Sequence, residues 1–200
     1  MYPALRPLIL LPLCVVAAGL THASAQSDST ASRTITPSVF AGVTDVSTGL
    51  DSGRNLSITA GVDLAFRPNS TLQPALEYRG MYAFDKGNVD SLKNNLGGLK
   101  LSRSYSRIRP YVDILAGRGE TTYANGGYQV PNKLIFYTQS SSNVYSLGGG
   151  ADVFAAGPLA LKIDLQIQRY SSPVTVSGHL YSETGTVGLV YVFHIGRAVR

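Results

Sequence analysis

The sequence predicts an all-β protein, an eight-stranded antiparallel up-and-down transmembrane β-barrel. Three observations support this fold class. Long segments alternate between apolar residues and small or polar residues; the links between segments alternate between short and long; and most charges inside the segments share the polar parity. A strand sends successive side chains to opposite faces, so each segment has one apolar wall and one polar wall.

The first 25 residues have the pattern of a signal peptide rather than of a folded element. Arg6 precedes an apolar run over residues 8–20, and Ala23-Ser24-Ala25 follows it. A charged start, a short apolar region and a small-x-small site are typical of a signal peptide that is cleaved on export. We therefore expect residues 1–25 to be removed and residues 26–34 to form a flexible leader.

Composition narrows the chemistry available to the mature chain. Cys14, the only cysteine, lies inside the predicted signal peptide, so we expect no disulfide and no thiolate ligand. With three histidines in the sequence, we expect neither a metal nor another cofactor. The net charge of +5 comes from scattered basic residues, whereas nucleic-acid binding requires a basic stripe with stacking aromatic residues.

Eight alternating segments, bounded by Gly, Pro, Asn, Asp and Ser, are the predicted strands. In the second segment, Leu56, Ile58 and Val62 share the apolar parity, while Asp63 lies on the other. The predicted strands are Thr36–Val46, Asn55–Phe66, Leu72–Phe84, Gly98–Tyr105, Pro110–Arg118, Tyr145–Phe154, Leu159–Tyr170 and Thr184–Ile195.

The links between these strands differ in length in a regular order. The short links are Arg67–Ser70, Ser106–Arg109 and Ala155–Gly157. They alternate with longer links at Ser47–Arg54, Asp85–Gly97, Gly119–Asn143 and Ser171–Glu183. Short and long links therefore lie at opposite ends, as in outer-membrane barrels with short periplasmic turns and longer extracellular loops.

Most charged residues within the predicted strands share the parity of the polar wall. Facing inward hides them from lipid, and opposite charges gathered in a narrow, side-chain-filled barrel can pair, so we expect no open pore. The predicted lumen charges are Asp63, Glu77, Arg79, Lys100, Asp113, Asp152, Lys162 and Asp164. Arg103, Arg118 and Arg169 have the outward parity, but each lies near a strand end, where a long basic side chain can reach the membrane surface.

The last strand contains a motif, Thr186-Val187-Gly188-Leu189-Val190-Tyr191-Val192-Phe193. It resembles the C-terminal β-signal of bacterial outer-membrane proteins, and Thr186, Gly188, Tyr191 and Phe193 are the residues that match. The resemblance implies insertion by the barrel-assembly machinery. In this sequence seven residues, His194–Arg200, follow the aromatic residue on which such signals usually end.

Residues 35–195 resemble the small eight-stranded barrels of the outer-membrane protein A and X type, grouped as "outer membrane protein beta-barrel domain". Ser102–Gly117 and Gly148–Gln168 contribute most to the resemblance. It implies an outer-membrane location, contact with outer-membrane lipid, a monomer and a structural or surface-interaction role. Residues 196–200 would then be a short C-terminal tail.

Two stretches are candidates for chemistry. Gly148-Gly149-Gly150-Ala151-Asp152 is glycine-rich, but it lacks the Lys-Ser/Thr and the following helix of a phosphate-binding loop. His179 lies near Ser177, Ser182 and Glu183, the residue types of a nucleophile–base set. A small lipid-modifying outer-membrane enzyme is therefore one alternative, although the spacing matches no motif and we expect no catalytic residues.

The third long link is the predicted contact surface. Tyr123, Tyr128, Phe136 and Tyr137 lie there among Asn, Ser, Gly and Gln, a composition typical of a loop that binds a ligand, here an extracellular one. The other alternative is a soluble periplasmic lipocalin-like barrel, whose apolar wall would face inward around a ligand. The Gly-x-Trp signature of that family is absent, because the sequence has no Trp.

Overall fold

A computed structural model describes residues 35–66, 71–131 and 134–193. The predicted signal peptide, the leader, the turn at 67–70, and the end of the last predicted strand with its tail lie outside these residues. Within the described part, no helix is long and apolar enough to cross a membrane.

Eight long antiparallel strands close into a barrel, as the sequence predicts. A separate two-stranded hairpin, β6–β7, lies in the link between β5 and β8. The strands are β1 (Ile35–Ser47), β2 (Arg54–Phe66), β3 (Leu72–Asp85), β4 (Asp90–Arg103), β5 (Ile108–Tyr123), β6 (Tyr128–Gln129), β7 (Phe136–Tyr137), β8 (Gln139–Ala156), β9 (Leu159–Ser171) and β10 (His179–Val192).

Pairing of β1 with β10 closes the barrel, with Gly42 opposite Gly188. The Thr44 hydroxyl lies 2.6 Å from that of Thr59 on β2 and 2.8 Å from that of Thr186 on β10. This contact joins the first strand to both neighbours. In the lipid-facing part of the barrel, the closed ladder pairs the backbone groups along both sides of each strand, which is the condition for a β-structure to span lipid.

Over most of the barrel, apolar side chains face outward and polar ones face inward. On β9, Leu161, Ile163 and Leu165 are exposed, whereas Lys162 and Asp164 between them are buried. An apolar exterior around a polar interior is the arrangement of a transmembrane barrel. It contradicts the lipocalin-like alternative, which requires the apolar wall to face inward.

This alternation reverses at the end of the barrel that has the longer links. On β4, Leu92 and Leu96 are buried inside, while Lys93 and Asn95 face outward. The predicted link Asp85–Gly97 is therefore wrong, because most of it is strand. The pattern of a lipid-facing strand fails there because polar residues face out and apolar residues pack inside.

The same extension shortens the other long links. β5 continues to Tyr123, β8 begins at Gln139 and β10 begins at His179. Eight strand ends therefore form a rim beyond the lipid-facing surface, connected by links at 48–53, 86–89, 124–138 and 172–178. We call this end the rim end and the opposite end the short-turn end.

Candidate functional site

A buried ionic network centred on Arg79 lies in the middle of the lumen. Arg79 Nη1 donates to Asp164 Oδ2 at 2.8 Å, Nη2 lies 3.3 Å from Asp113 Oδ2, and Nε donates to Glu77 Oε1 at 2.5 Å. Gln166 Nε2 donates to Asp113 Oδ1 at 2.9 Å. Buried charges persist only when they are paired and hydrogen-bonded, so this network fixes β3, β5 and β9 relative to one another.

A second group of charges lies beside this network. Lys100 Nζ donates to Asp63 Oδ2 at 2.9 Å and lies 3.5 Å from Glu77 Oε2, so Glu77 joins the two groups. Arg109 Nη2 donates to Asp152 Oδ2 at 2.9 Å. All eight predicted lumen charges are thus buried inside the barrel.

Lys162 differs from the other lumen charges in the contacts of its amine. Its Nζ lies 4.0 Å from Asp152 Oδ1, and it sits over the rings of Phe40 and Tyr111, with centroids at 4.5 and 4.2 Å. No hydrogen-bond partner for this atom exists among residues the structure describes. Asp152 and the two aromatic faces therefore stabilise its charge together.

Glycines of β2 and β8 make room for the large lumen side chains. A Cβ on Gly148 would lie 2.2 Å from Gln166 Cδ, and one on Gly150 would lie 2.7 Å from the Tyr111 hydroxyl. On β2, a Cβ on Gly61 would lie 2.5 Å from Phe40 Cζ. The glycine-rich stretch of β8 therefore has a packing role, and it lies within a strand instead of before a helix.

Apolar clusters lie inside the barrel toward both ends. At the short-turn end, Phe40, Ala160, Val190 and Val192 pack together with Phe154. At the rim end a larger group, which we call the cap cluster, fills the interior. The cap cluster consists of Val46, Leu50, Met81, Leu92, Leu96, Leu115, Tyr123, Val144, Tyr170, Val174 and Leu180.

Asp90 lies in the rim, further from the lipid-facing surface than Lys93 does. Its carboxylate is buried, and its Oδ1 accepts a hydrogen bond of 2.6 Å from the Thr48 hydroxyl. Burial raises the pKa of Asp90 to about 6. The carboxylate therefore titrates at a pH at which ordinary aspartates are already ionised.

The four aromatic residues of the predicted contact surface lie in different environments. Tyr123 is 5% exposed and belongs to the cap cluster, so its inclusion in that surface was wrong. Tyr128 is partly buried, and its hydroxyl donates to Asp51, a contact that raises the pKa of Tyr128. Phe136 and Tyr137, on β7, are exposed.

Three exposed apolar residues of the links were not predicted from the sequence. Leu134 is 92% exposed and Ile135 is also exposed, directly before β7. Val176, in the β9–β10 link, is 92% exposed as well. A sequence signal existed, since 134–137 is an apolar run within a polar link, but it lacks the alternation used to assign strands.

His179 does not meet a nucleophile. Its Nε2 lies 2.6 Å from Arg169 Nη2, while the Ser177 hydroxyl donates to the His179 carbonyl. Ser182 faces inward and donates to the Ser47 carbonyl at 2.8 Å. Neither serine hydroxyl is therefore bonded to the imidazole, and no group of three or more metal-ligating side chains occurs in the described ranges.

The residues that match the β-signal lie on both faces of β10. Thr186 is buried beside Thr44, and Gly188 lies against the backbone of β1. Tyr191 and Phe193 face outward, with ring centroids 5.1 Å apart in an edge-on arrangement. Aromatic residues at this level of a barrel exterior are typical of the membrane interface.

A belt of paired polar side chains surrounds the barrel at the rim end. Lys93 Nζ lies 2.6 Å from Glu120 Oε1. Arg118 Nη1 donates to Asn143 Oδ1 at 3.1 Å, and Arg54 pairs with Asp45. The belt marks where the lipid-facing surface ends, and Arg118 and Arg169 belong to it.

These features define a small transmembrane β-barrel whose lumen contains an ionic network and two apolar clusters, and whose strands extend into a rim. No family model and no curated protein sequence matches the chain. Among solved structures it is similar to Neisserial surface protein A, at 14% identity over 80% of this chain and 97% of that one, with a TM-score of 0.49. It is also similar to Ail, the attachment invasion locus protein of Yersinia pestis (12% identity, 80% and 97% coverage, TM-score 0.45). A third is the N-terminal β-barrel domain of OprF from Pseudomonas aeruginosa (16%, 78% and 97%, TM-score 0.39).

Proposed function

We propose that the protein is an outer-membrane barrel whose rim end faces outward and contacts an external partner. The observation that carries the proposal is the apolar hairpin link, where Leu134, Ile135 and Phe136 are exposed together. Apolar side chains clustered on an aqueous surface cost free energy and mark interaction sites. Their burial against a partner recovers that free energy.

The proposed orientation follows from chain direction and from the two ends of the barrel. An even number of strands places both ends of the barrel chain at the short-turn end, the side from which an exported chain enters the outer membrane. The motif in β10 supports insertion by the barrel-assembly machinery. A monomer surrounded by outer-membrane lipid accounts for the apolar exterior without a further protein interface.

The hairpin is held to the rim at its base. The Tyr123 amide donates to the Thr138 carbonyl at 2.9 Å, and the Ala124 amide donates to the Val89 carbonyl at 2.8 Å. The Tyr128 hydroxyl donates to Asp51 in the β1–β2 link. A surface ordered in advance loses less entropy on binding, so these contacts favour recognition.

Transport and catalysis have less support. Apolar clusters lie toward both ends of the lumen and the ionic network lies in the middle, which favours a lumen without a through-pore. His179 contacts Arg169 and not a serine hydroxyl, so the lipid-modifying alternative lacks a nucleophile–base pair. The rim is the part of the barrel that the membrane fold itself does not require.

Attachment of bacteria that express the protein tests this proposal. The cells are applied to polystyrene and to a panel of immobilised extracellular-matrix proteins, with equal amounts of barrel at the surface. We expect attachment above the empty vector for wild type, and a loss of that increment for Leu134→Ser combined with Phe136→Ser. Val176→Ser, at a residue as exposed as Leu134 but in another link, is the control and should attach as wild type does. Wild-type attachment equal to the empty vector, or attachment unaffected by the double substitution, would overturn the proposal.

A further inference from the structure

The exposed charges of the barrel are divided unequally between its two ends. In the part of the chain that the structure describes, every carboxylate that is not buried lies at the rim end. These residues are Asp45, Asp51, Asp85, Glu120 and Glu183. At the short-turn end, the exposed charged residues within the same ranges are Arg103 and Arg107, on either side of the β4–β5 turn. The described surface of this end is therefore cationic.

Neither of these two arginines is neutralised by the protein. The ion pairs of the described residues do not include Arg103 or Arg107. Arg109, two residues further along β5, pairs with the buried Asp152 at 2.9 Å. At the rim end, Lys93 is likewise paired with a carboxylate. The two turn arginines thus keep guanidinium groups that can bind an anion from outside the chain.

The turn that carries them is fixed by backbone hydrogen bonds. The Tyr105 and Ile108 amides each donate to the carbonyl of the other at 2.8 Å, and the Phe154 amide donates to the Arg107 carbonyl at 2.7 Å. Arg103 Cζ lies 4.8 Å from the centroid of the Tyr105 ring. A guanidinium stacked on a ring still presents its N–H groups at the edge, so this contact orients donors without consuming them.

The level of the turn along the barrel axis is that of the membrane interface. Arg103 is exposed on the outward parity, opposite the exposed Leu72 and two residues after the exposed Leu101. Ile108 and Tyr105 are also exposed there. A long basic side chain beside lipid-facing leucines and a tyrosine reaches the headgroups of the surrounding lipid.

The chemistry of the site selects the kind of headgroup. A guanidinium donates paired hydrogen bonds to phosphate oxygens and is more weakly hydrated than an ammonium, so arginine suits phosphate recognition. In the described part of the chain, no exposed carboxylate adjoins the turn to bind the amine of a zwitterionic headgroup. An anionic headgroup therefore fits this site better than a zwitterionic one does.

We propose that Arg103 and Arg107 bind the phosphate of an anionic glycerophospholipid in the periplasmic leaflet. The assignment to that leaflet rests on the proposed function, which places the rim end outside. The preference for an anionic headgroup does not depend on the orientation. Each basic residue near an anionic lipid surface contributes about 1 kcal/mol, which is about a fivefold preference.

Tryptophan fluorescence in vesicles measures this preference at the turn itself. The chain contains no tryptophan, so Ile108→Trp introduces a single lipid-facing reporter next to Arg107. The protein is refolded into vesicles of phosphatidylcholine and phosphatidylglycerol in which one of the two lipids carries bromine at the same acyl position. We expect brominated phosphatidylglycerol to quench as strongly as an about fivefold higher fraction of brominated phosphatidylcholine. High salt should reduce this selectivity, because salt screens exposed charges.

Two charge-matched double variants, each made in the reporter protein, show which residues are responsible. Arg103→Gln with Arg107→Gln should make the two brominated lipids quench equally. Arg54→Gln with Lys93→Gln removes the same charge at the rim end and should leave the selectivity unchanged. Heat-modifiable gel mobility verifies that each protein is folded, and the comparison of the two lipids in the reporter protein itself requires no charge variant.

Three results would overturn the inference. The first is equal quenching by the two lipids in the reporter protein. The second is selectivity that survives Arg103→Gln with Arg107→Gln, and the third is an equal loss in both double variants. Equal quenching combined with co-sedimentation with purified cell-wall polymer, lost in the turn variant, would assign the two arginines to that polymer instead.

The vesicle measurement is independent of the proposed function, because vesicles contain no external partner. Equal quenching, together with attachment that depends on Leu134 and Phe136, would reject the lipid site and retain the contact surface. Selective quenching, together with attachment equal to the empty vector, would retain the lipid site and reject the contact surface.

Discussion

Arg79 and Asp164 join opposite walls of the barrel, with Arg79 Nη1 2.8 Å from Asp164 Oδ2. Arg79 lies on β3 and Asp164 on β9, and β9 is the fourth strand from β3 in either direction around the ring. One ion pair thus crosses the full width of the lumen. This contact connects β3 to β9 across the lumen at the level where polar residues face inward.

Replacing Arg79 should therefore be strongly destabilising. Arg79→Met removes the cation that pairs with Asp113 and Asp164 and leaves Glu77 with Lys100 alone. Loss of one partner of a buried ion pair costs about 3–5 kcal/mol. Urea unfolding in lipid vesicles measures the free energy of unfolding. The control is Arg54→Met, since Arg54 is 69% exposed in its pair with Asp45 and should cost less than about 1 kcal/mol. Equal losses for the two variants would contradict a structural role for the lumen network.

Closure of the barrel should depend on Gly188. A Cβ there would lie 2.4 Å from the Ala41 carbonyl oxygen, so Gly188→Ala must push β1 and β10 apart, at about 1–3 kcal/mol. Gly185→Ala on the same strand is the matched control, because its Cβ would lie 3.6 Å from the nearest heavy atom, Leu165 Cδ2. We expect only Gly188→Ala to lower the temperature at which the folded gel band disappears. A similar loss for both would show that the close approach is unimportant.

The rim should become more stable on acidification. The pKa of Asp90 is raised to about 6 in the folded protein, so the folded state binds a proton more tightly than the unfolded state does. Stability of the rim therefore rises as the pH falls from about 7 toward 4 and is lost again as the pH rises through 6. Hydrogen-exchange protection factors of residues 86–93, which correct for intrinsic exchange rates, should be higher at pH 5 than at pH 8. Asp90→Asn should remove most of this difference, and an unchanged difference in that variant would assign it to another group.

The closed lumen should conduct no ions. The cap cluster and the Arg79 network fill the interior, so the purified protein in planar bilayers should give no regular conductance steps. Regular conductance steps would contradict this prediction. If they persisted in the Leu134→Ser and Phe136→Ser double variant, they would come from the lumen and not from the rim residues.

Sequence patterns were informative where the barrel meets lipid. There, the contrast between an apolar exterior and a polar interior is strong at every second residue, as in Leu161 and Lys162. Beyond the lipid, Leu92 faces inward and Lys93 outward, so apolar residues lie inside and polar residues outside. β4 was predicted too short because its rim part has this reversed pattern. A change in the parity of the apolar residues along β4 marks the part of the strand that was not predicted.

The rim contacts lay beyond any sequence pattern. Burial of Tyr123 depends on packing against residues from distant strands, such as Tyr170. The end of the pairing between β8 and β9 is a second example, because it depends on a register that would place Pro173 opposite Ser141. Such features become visible only when the barrel is assembled.

Cysteine labelling on intact cells tests most directly whether the rim faces outward. The predicted mature chain contains no cysteine, so Thr138→Cys at the rim and Arg107→Cys at a short turn each introduce a single thiol on an exposed residue. A membrane-impermeant maleimide should label Thr138→Cys on intact cells and label Arg107→Cys only after the outer membrane is permeabilised. Labelling of Arg107→Cys on intact cells, with Thr138→Cys protected, would contradict the orientation and with it the proposed contact surface.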